Sequence, residues 1–323
     1  MNVLQRAVRS LDTLQRRSRP VGFAYGVIKK FGDDQGGSLA ALITFFGFTS
    51  MFPLLLLVMT LFGSIVGSSS SITQKVVNSA LSQFPILGSE IAANIHALHS
   101  NNAFSLAIGL VGLILGSQGA SQASQYAMAQ VWNIPVTQRP NYLSRLGRTA
   151  GMIVVLGLFF ILGAALSGFS SFTSQYVLLR ALALPLSVIA NLALYLLAFR
   201  ILTPRQIETR NLVIGAIVGG AAWTVLQLLG GYLVSHELRH ASQIYGFFAI
   251  VLGILSWIYL GARILIYSAE INVVATRKLW PRSIAGPPWT PADRKVFSAL
   301  GEQQDRTKGE RIEVEFDRNS ESG

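Results

Sequence analysis

The chain has 323 residues, of which 51% are hydrophobic and only 13% charged, and its mean hydropathy is +0.48. Soluble globules carry about 25% charged residues, and here the apolar residues gather in runs near the roughly 20 residues that cross a bilayer, which excludes a soluble enzyme or binding domain. With no cysteine in the sequence, disulfides, thiolate nucleophiles and sulfur-ligated metal sites are excluded as well.

Six candidate spans cover about 39–66, 103–125, 149–168, 177–199, 212–234 and 245–268. The expected fold class is all-α: a polytopic membrane protein, because helices satisfy every backbone group in lipid. Three regions follow: a cytoplasmic basic amphipathic segment over 1–38, a six-helix domain over 39–270, and a cytoplasmic, largely disordered tail over 271–323. The polar opening segment and the length of the first apolar run do not fit a secretory signal peptide.

The net charge of +11 would suit nucleic acid if it were evenly spread. Instead seven Lys and Arg residues precede span one, three fall between spans two and three, three between spans four and five, and nine after span six. The other side holds only Lys75, Arg180 and Arg239, while Arg263 lies inside a span. This is the positive-inside pattern, and it places both termini in the cytoplasm. No nucleic-acid partner is expected; the partners are membrane lipids and the anionic headgroups of the inner leaflet.

Along 1–30, Val3, Leu4, Ala7, Val8, Leu11 and Leu14 recur at helical spacing among arginines, as in a helix lying on a membrane surface. Pro20 and Gly22 break it before a second short segment ending at "KKFGDDQGG". Asp33 and Asp34 then stand ahead of span one, where helix N-terminal amides favour negative charge. Span one carries Pro53, which cannot donate to the Thr49 carbonyl, so Pro53, Ser50 and Thr49 mark a kink, read either as ordinary bending or as a hinge. The outer segment 67–102 suits two short amphipathic helices.

Span two turns polar at "GSQGASQASQ". Gln118, Gln122 and Gln125 form one stripe and Ser117, Ser121 and Ser124 its neighbour, a face that either meets another helix or lines a hydrated cavity. Gly112 and Gly116, and in span five Gly215 and Gly219, stand four apart, a spacing that permits close helix packing or self-association into a homo-oligomer.

Span six is the most informative. Ser256, Tyr259, Arg263, Tyr267 and Glu270 step by three, four, four and three residues into one polar stripe, and Gly246 and Gly253 share a second face. Arg263 and Glu270 are about 20° apart around the axis but roughly 10 Å apart along it, so they pair directly only with stretched side chains. Two readings of Arg263 stay open. It snorkels to the interface, or it faces the bundle interior toward the span-two glutamines, carbonyls or an anionic ligand group.

No HExxH, GxSxG, P-loop or dinucleotide fingerprint occurs. His96, His99, His236 and His240 all fall on the outer side and are read as surface residues. Glu270 is the only acidic residue in or beside any span from the second onward, which leaves no partner for acid–base catalysis. No catalytic residue, metal site or cofactor is expected.

The stretches "GGSLAALITFFGFTSMFPLLLLV" and "IYGFFAIVLGILSWIYLGARILIYSAEINVV" resemble the two signature regions of the YihY/BrkB-like family of bacterial inner-membrane proteins. The positions that carry the resemblance are Ser50 and Pro53, Tyr245 and Gly246, and Ala269, Glu270, Ile271 and Asn272. Ser268 stands where the family has glycine, and Phe45 and Phe46 stand where tyrosine is usual. The resemblance implies a multi-pass plasma-membrane protein with suspected roles in transport of envelope lipid or solute. It also implies that the family's former label of ribonuclease does not apply, and it draws attention to Glu270 and Asn272. A transporter is the leading expectation, a non-transporting scaffold the second, and a ribonuclease a distant third.

Overall fold

The computed structural model describes residues 12–13, 15, 17–66, 103–155, 158, 177–233, 247–284, 286–307, 309–310 and 312–316. Among them the chain is helical and holds no strand. Its helices are α1 (Arg19–Asp33), α2 (Gly36–Val66), α3 (Ala103–Val131), α4 (142–155), α5 (Val177–Leu202), α6 (Val213–Leu233), α7 (Phe247–Arg277) and α8 (Pro291–Glu302).

Among the described residues, three stretches are long and apolar enough to cross a membrane, Pro185–Leu202, Thr209–Gly230 and Val251–Arg277, and a shorter apolar one covers Gly36–Met51. Only 28%, 39% and 22% of the three long windows is buried, so most of their apolar surface faces outward. Ile189 and Leu197 on α5, Ile214, Ile217 and Leu228 on α6, and Phe248 and Leu252 on α7 are exposed, while Asn191, Thr224, Ser268 and Glu270 are buried. A soluble bundle does the reverse; apolar outside and polar within is the arrangement lipid requires.

Helix α7 is the centre of the bundle, packing on α1, α2, α3 and α6, while α2 pairs closely with α3 and α5 with α6. Glycines allow these approaches. A Cβ at Gly116 would come within 2.8 Å of the Ser50 Cα on α2, and one at Gly219 within 2.7 Å of the Ser268 hydroxyl on α7. Gly112 and Gly253 are half-buried. Gly246 and Tyr245 lie outside the described residues, as do the four histidines and the segment 67–102.

Pro20 starts a helix. It sits in the first turn of α1 behind Ser18, where its fixed φ and missing N–H cost nothing. Of the surface helix expected before Pro20, residues 1–11, 14 and 16 lie outside the described residues, and 12, 13, 15 and 17 are helical. Helix α2 passes through position 53 without a break, although the Pro53 side chain is outside the described residues. Upstream, the Thr49 hydroxyl donates to the Phe45 carbonyl (2.9 Å) and Ser50 to Gly47 (2.7 Å).

The region 271–323, expected to be largely disordered, differs most from expectation. Helix α7 continues to Arg277, and α8 follows with a capping box in which the Thr290 hydroxyl accepts from the Asp293 N–H and the Asp293 carboxylate accepts from the Thr290 N–H. The physical reason is a clamp onto α1. Arg282, fully buried, donates to Asp293 (2.5 Å) and to Asp33 (2.8 Å), and Lys29 donates to Asp293 (3.0 Å) and to the Ser283 carbonyl (2.6 Å). Phe23 meets Trp280 edge-on at 5.2 Å. Burial alone would raise the Asp293 carboxyl, but hydrogen bonds from Arg282, Ser283, Thr290 and Lys29 outweigh it and hold it well below the usual range.

Candidate functional site

The polar stripe of α7 becomes more buried toward its C-terminal end. Ser256 is exposed, Tyr259, Arg263 and Tyr267 are half-buried, and Glu270 is fully buried. What faces the stripe is α1, whose Val27, Lys30 and Phe31 lie on its inner side. Phe31 stacks on Tyr267, with centroids 3.9 Å apart and planes within 4°. The Arg263 guanidinium lies 5.8 Å from the Phe31 ring centre, 5.8 Å from Tyr259 and 5.7 Å from Tyr267. Cation–π attraction of this kind holds a guanidinium without neutralising it. Among the described residues no carboxylate pairs with Arg263 and no acceptor takes a hydrogen bond from it.

One step along α1, Lys30 turns to the lower end of the stripe. Lys30 and Glu270 are 0% exposed and Asp34 is 5% exposed. Lys30 Nζ donates to the Asp34 carboxylate and to the Val131 carbonyl (3.2 Å), and lies 3.8 Å from Glu270 Oε2. Asn133 Nδ2 reaches Asp34 Oδ1 (3.4 Å) and Gln303 Oε1 (3.1 Å). Neither Glu270 oxygen accepts a hydrogen bond from a fixed donor, and Asn133 Oδ1 is likewise buried without a partner. Burial raises the Asp34 carboxyl, and the Lys30 charge offsets only part of that.

Asp33 and Asp34 are therefore bound to Arg282 and Lys30 rather than to the first amides of α2, where the sequence puts them. Glu270 is paired with Lys30 and not with Arg263. Lys30 was missed because its partner lies 240 residues away; the available signal was a lysine on the same helical face as Val27 and Phe31, four residues before an aspartate.

Asn272 has a different task. Its Oδ1 accepts from the Gly215 N–H (2.6 Å) and its Nδ2 donates to the Leu212 carbonyl (3.2 Å). It thus caps, from another helix, one of the orphan donors in the first turn of α6. A Cβ at Gly215 would fall on the Ser268 carbonyl and the Asn272 side chain. Ser268, the small residue that replaces glycine here, turns its hydroxyl back to the Ile264 carbonyl (2.6 Å).

The span-two glutamines meet a helix. Gln118 Nε2 donates to the Tyr142 hydroxyl (3.2 Å), Gln122 Oε1 accepts from Arg145 (3.2 Å), and Gln125 Nε2 reaches Ser121 Oγ (3.2 Å), the Arg145 carbonyl (3.3 Å) and Thr149 Oγ1 (3.5 Å). All these partners beyond α3 belong to α4. Ser117 and Ser124 bond back to the carbonyls of Ile114 (3.1 Å) and Ala120 (2.9 Å). A comparable junction, unforeseen from sequence, joins α5 to α6: buried Asn191 donates to Thr224 (2.9 Å) and Gln227 (3.0 Å).

A protein described as "Inner membrane protein YhjD", from Escherichia coli (strain K12), is 22% identical over 277 residues, covering 79% of this chain and 81% of that one. No solved structure matches. The family model described as "Virulence factor BrkB" matches residues 27–289. That match takes in the inner face of α1, Asp34, the whole of α7 and the Arg282 anchor, and it bears out the resemblance of the two signature stretches. This multi-pass, all-helical chain belongs to the BrkB family.

Proposed function

We propose that the protein is a transporter in the bacterial inner membrane that moves an anionic lipid, an envelope precursor or a similar anionic amphiphile. The observation that carries this reading is Arg263: a half-buried guanidinium in an apolar helix, ringed by Phe31, Tyr259 and Tyr267 and unmatched by any carboxylate among the described residues. Charge in a membrane helix is costly, and such residues either pair with a partner or mark a substrate or ion pathway. A phosphate or carboxylate headgroup supplies the missing counter-charge, and aromatic walls accommodate the chain beside it.

Six spans with both termini in the cytoplasm are the topology that goes with this reading. Its support is that segments assigned to one side by their charge meet at one end of the bundle. Asp34, Asn133 and Gln303 join there, and Asn272 reaches the Leu212 carbonyl nearby. The name of the Escherichia coli relative supports the inner membrane.

The bonds from Gln122 and Gln125 to α4 favour the second reading, a scaffold, for that part of the molecule: these side chains hold α3 to α4, with only the neutral Gln125 Oε1 left buried without a partner. Translocation of fluorescent phospholipids in proteoliposomes separates the two. Transport of an anionic-headgroup probe that falls several-fold in Arg263→Ala supports the transporter. Absence of transport of every anionic amphiphile offered, with the protein folded, favours the scaffold.

A further inference from the structure

The charged groups at the lower end of the stripe do not balance. The α1–α8 clamp sets Lys29 and Arg282 against Asp33 and Asp293. Arg277 of α7 donates to the Trp132 carbonyl (2.7 Å) and divides its field between Asp34 and Glu302 of α8. Among the described residues, Lys30 is the one cation within 4 Å of either Asp34 or Glu270. The one remaining cation of α7, Arg263, is roughly 10 Å up the helix against the Phe31–Tyr267 stack. Helix α3 and its following turn contribute only the neutral Asn133 and Gln130. With every group ionised, two buried carboxylates share one contacting ammonium.

The geometry indicates where compensation goes. The Asp34 and Glu270 carboxylates both reach the one Lys30 Nζ, Glu270 at 3.8 Å, yet both Glu270 oxygens lack a donor among the fixed groups. Two ionised carboxylates repel at that distance, and two that share a proton attract. A divalent metal ion is disfavoured because the Lys30 ammonium already lies beside both carboxylates.

We propose that Asp34, Glu270 and Lys30 form a proton-binding site, in which one proton is held between the two carboxyl groups beside the lysine ammonium. The proton comes from water at the adjacent surface, and its uptake takes the site from a charge of minus one to zero without breaking any other bond. The proposal goes beyond the transport reading and does not depend on it; it stands equally for a scaffold. Because Lys30 and Asp34 belong to α1 and its turn while Glu270 belongs to α7, the protonation state acts directly on the contact between those elements.

Infrared difference spectroscopy on the full-length protein in phospholipid nanodiscs tests it, in sodium and in choline chloride. The expected result is a protonated-carboxyl stretch at neutral pH that shifts in D2O, disappears in Glu270→Gln and is the same in both salts. Glu270→Gln copies the neutral form and is expected to fold, with circular dichroism and gel filtration as checks; Asp34→Asn, which removes the other half of the pair, must shift or abolish the same band. Absence of a protonated-carboxyl band in the folded wild-type protein at neutral pH overturns the proposal. So does a band that survives both substitutions, or one present only when sodium is withheld, which would assign the site to a monovalent cation.

Discussion

The glutamine stripe of α3 and the lower stripe of α7 are both polar surfaces set into apolar helices, and they are satisfied in opposite ways. Gln118, Gln122 and Gln125 find neutral or cationic partners on α4, each within 3.5 Å, and the buried atom left without a partner there, Gln125 Oε1, is uncharged. On α7, Arg263 has rings but no anion, and Glu270 has a lysine at 3.8 Å but no hydrogen-bond donor. A neutral polar stripe bonded to the next helix in a membrane bundle is adequately explained by helix association. An unsaturated charged one has an unmet electrostatic requirement, and that asymmetry separates the candidate site from the packing.

The largest effect is expected at Lys30. Removing the one cation from a buried cluster strands two carboxylates, a change that costs about 3–5 kcal/mol when one partner of a buried pair is lost. Lys30→Met should abolish or sharply reduce folded protein recovered by gel filtration, and adding Glu270→Gln should restore part of it. Equal loss in the single and double variants would mean that Lys30 acts through packing alone.

A smaller loss, about 1–3 kcal/mol, is expected for Asn272→Ala, which leaves the Gly215 N–H and the Leu212 carbonyl buried without partners. Thermal melting in detergent reads it, and an unchanged midpoint would show that water replaces the cap. On the neutral stripe of α3, Gln125→Leu should cost only about 0.6 kcal/mol, the average for interhelical hydrogen bonds in a membrane bundle. A cost as large as that of Lys30→Met would erase the distinction between the two regions.

The pH dependence has opposite signs in the two charged groups. The folded state keeps the Asp34 proton to a higher pH than the unfolded chain does, so this group adds stability as pH falls from neutral through its folded value toward the ordinary carboxylate range. Asp293 is depressed, so its contribution is present above the reference value of 3.8 and is lost only as pH falls below that through its folded value. Melting should therefore move modestly upward from neutral to mildly acidic buffer, and Asp34→Asn should flatten that rise. A wild-type melting point that falls over the same interval would contradict the sign.

Periodicity made much of this legible. Helices α2, α3, α5, α6 and α7 fall on the stretches read as apolar runs, and neighbouring helices come close at Gly116, Gly215 and Gly219. The steps between Ser256 and Glu270 gave a true stripe, because i, i+3 and i+4 spacing is a property of one helix. What faced the stripe was not legible, since no local pattern records that Lys30 meets Glu270 or that Asn272 caps α6. The tail was misjudged for a related reason: its average composition is polar, whereas Thr290 and Asp293 form a cap and Val296 packs into the core one turn later.

The most direct test compares Arg263→Ala with Gln125→Leu in one translocation assay, using an anionic fluorescent phospholipid and proteoliposomes matched for folded protein. The predicted result is a several-fold loss for Arg263→Ala and wild-type rates for Gln125→Leu. Loss confined to Gln125→Leu would place the route along α3 and α4 and contradict the assignment of function to the unsaturated end of α7.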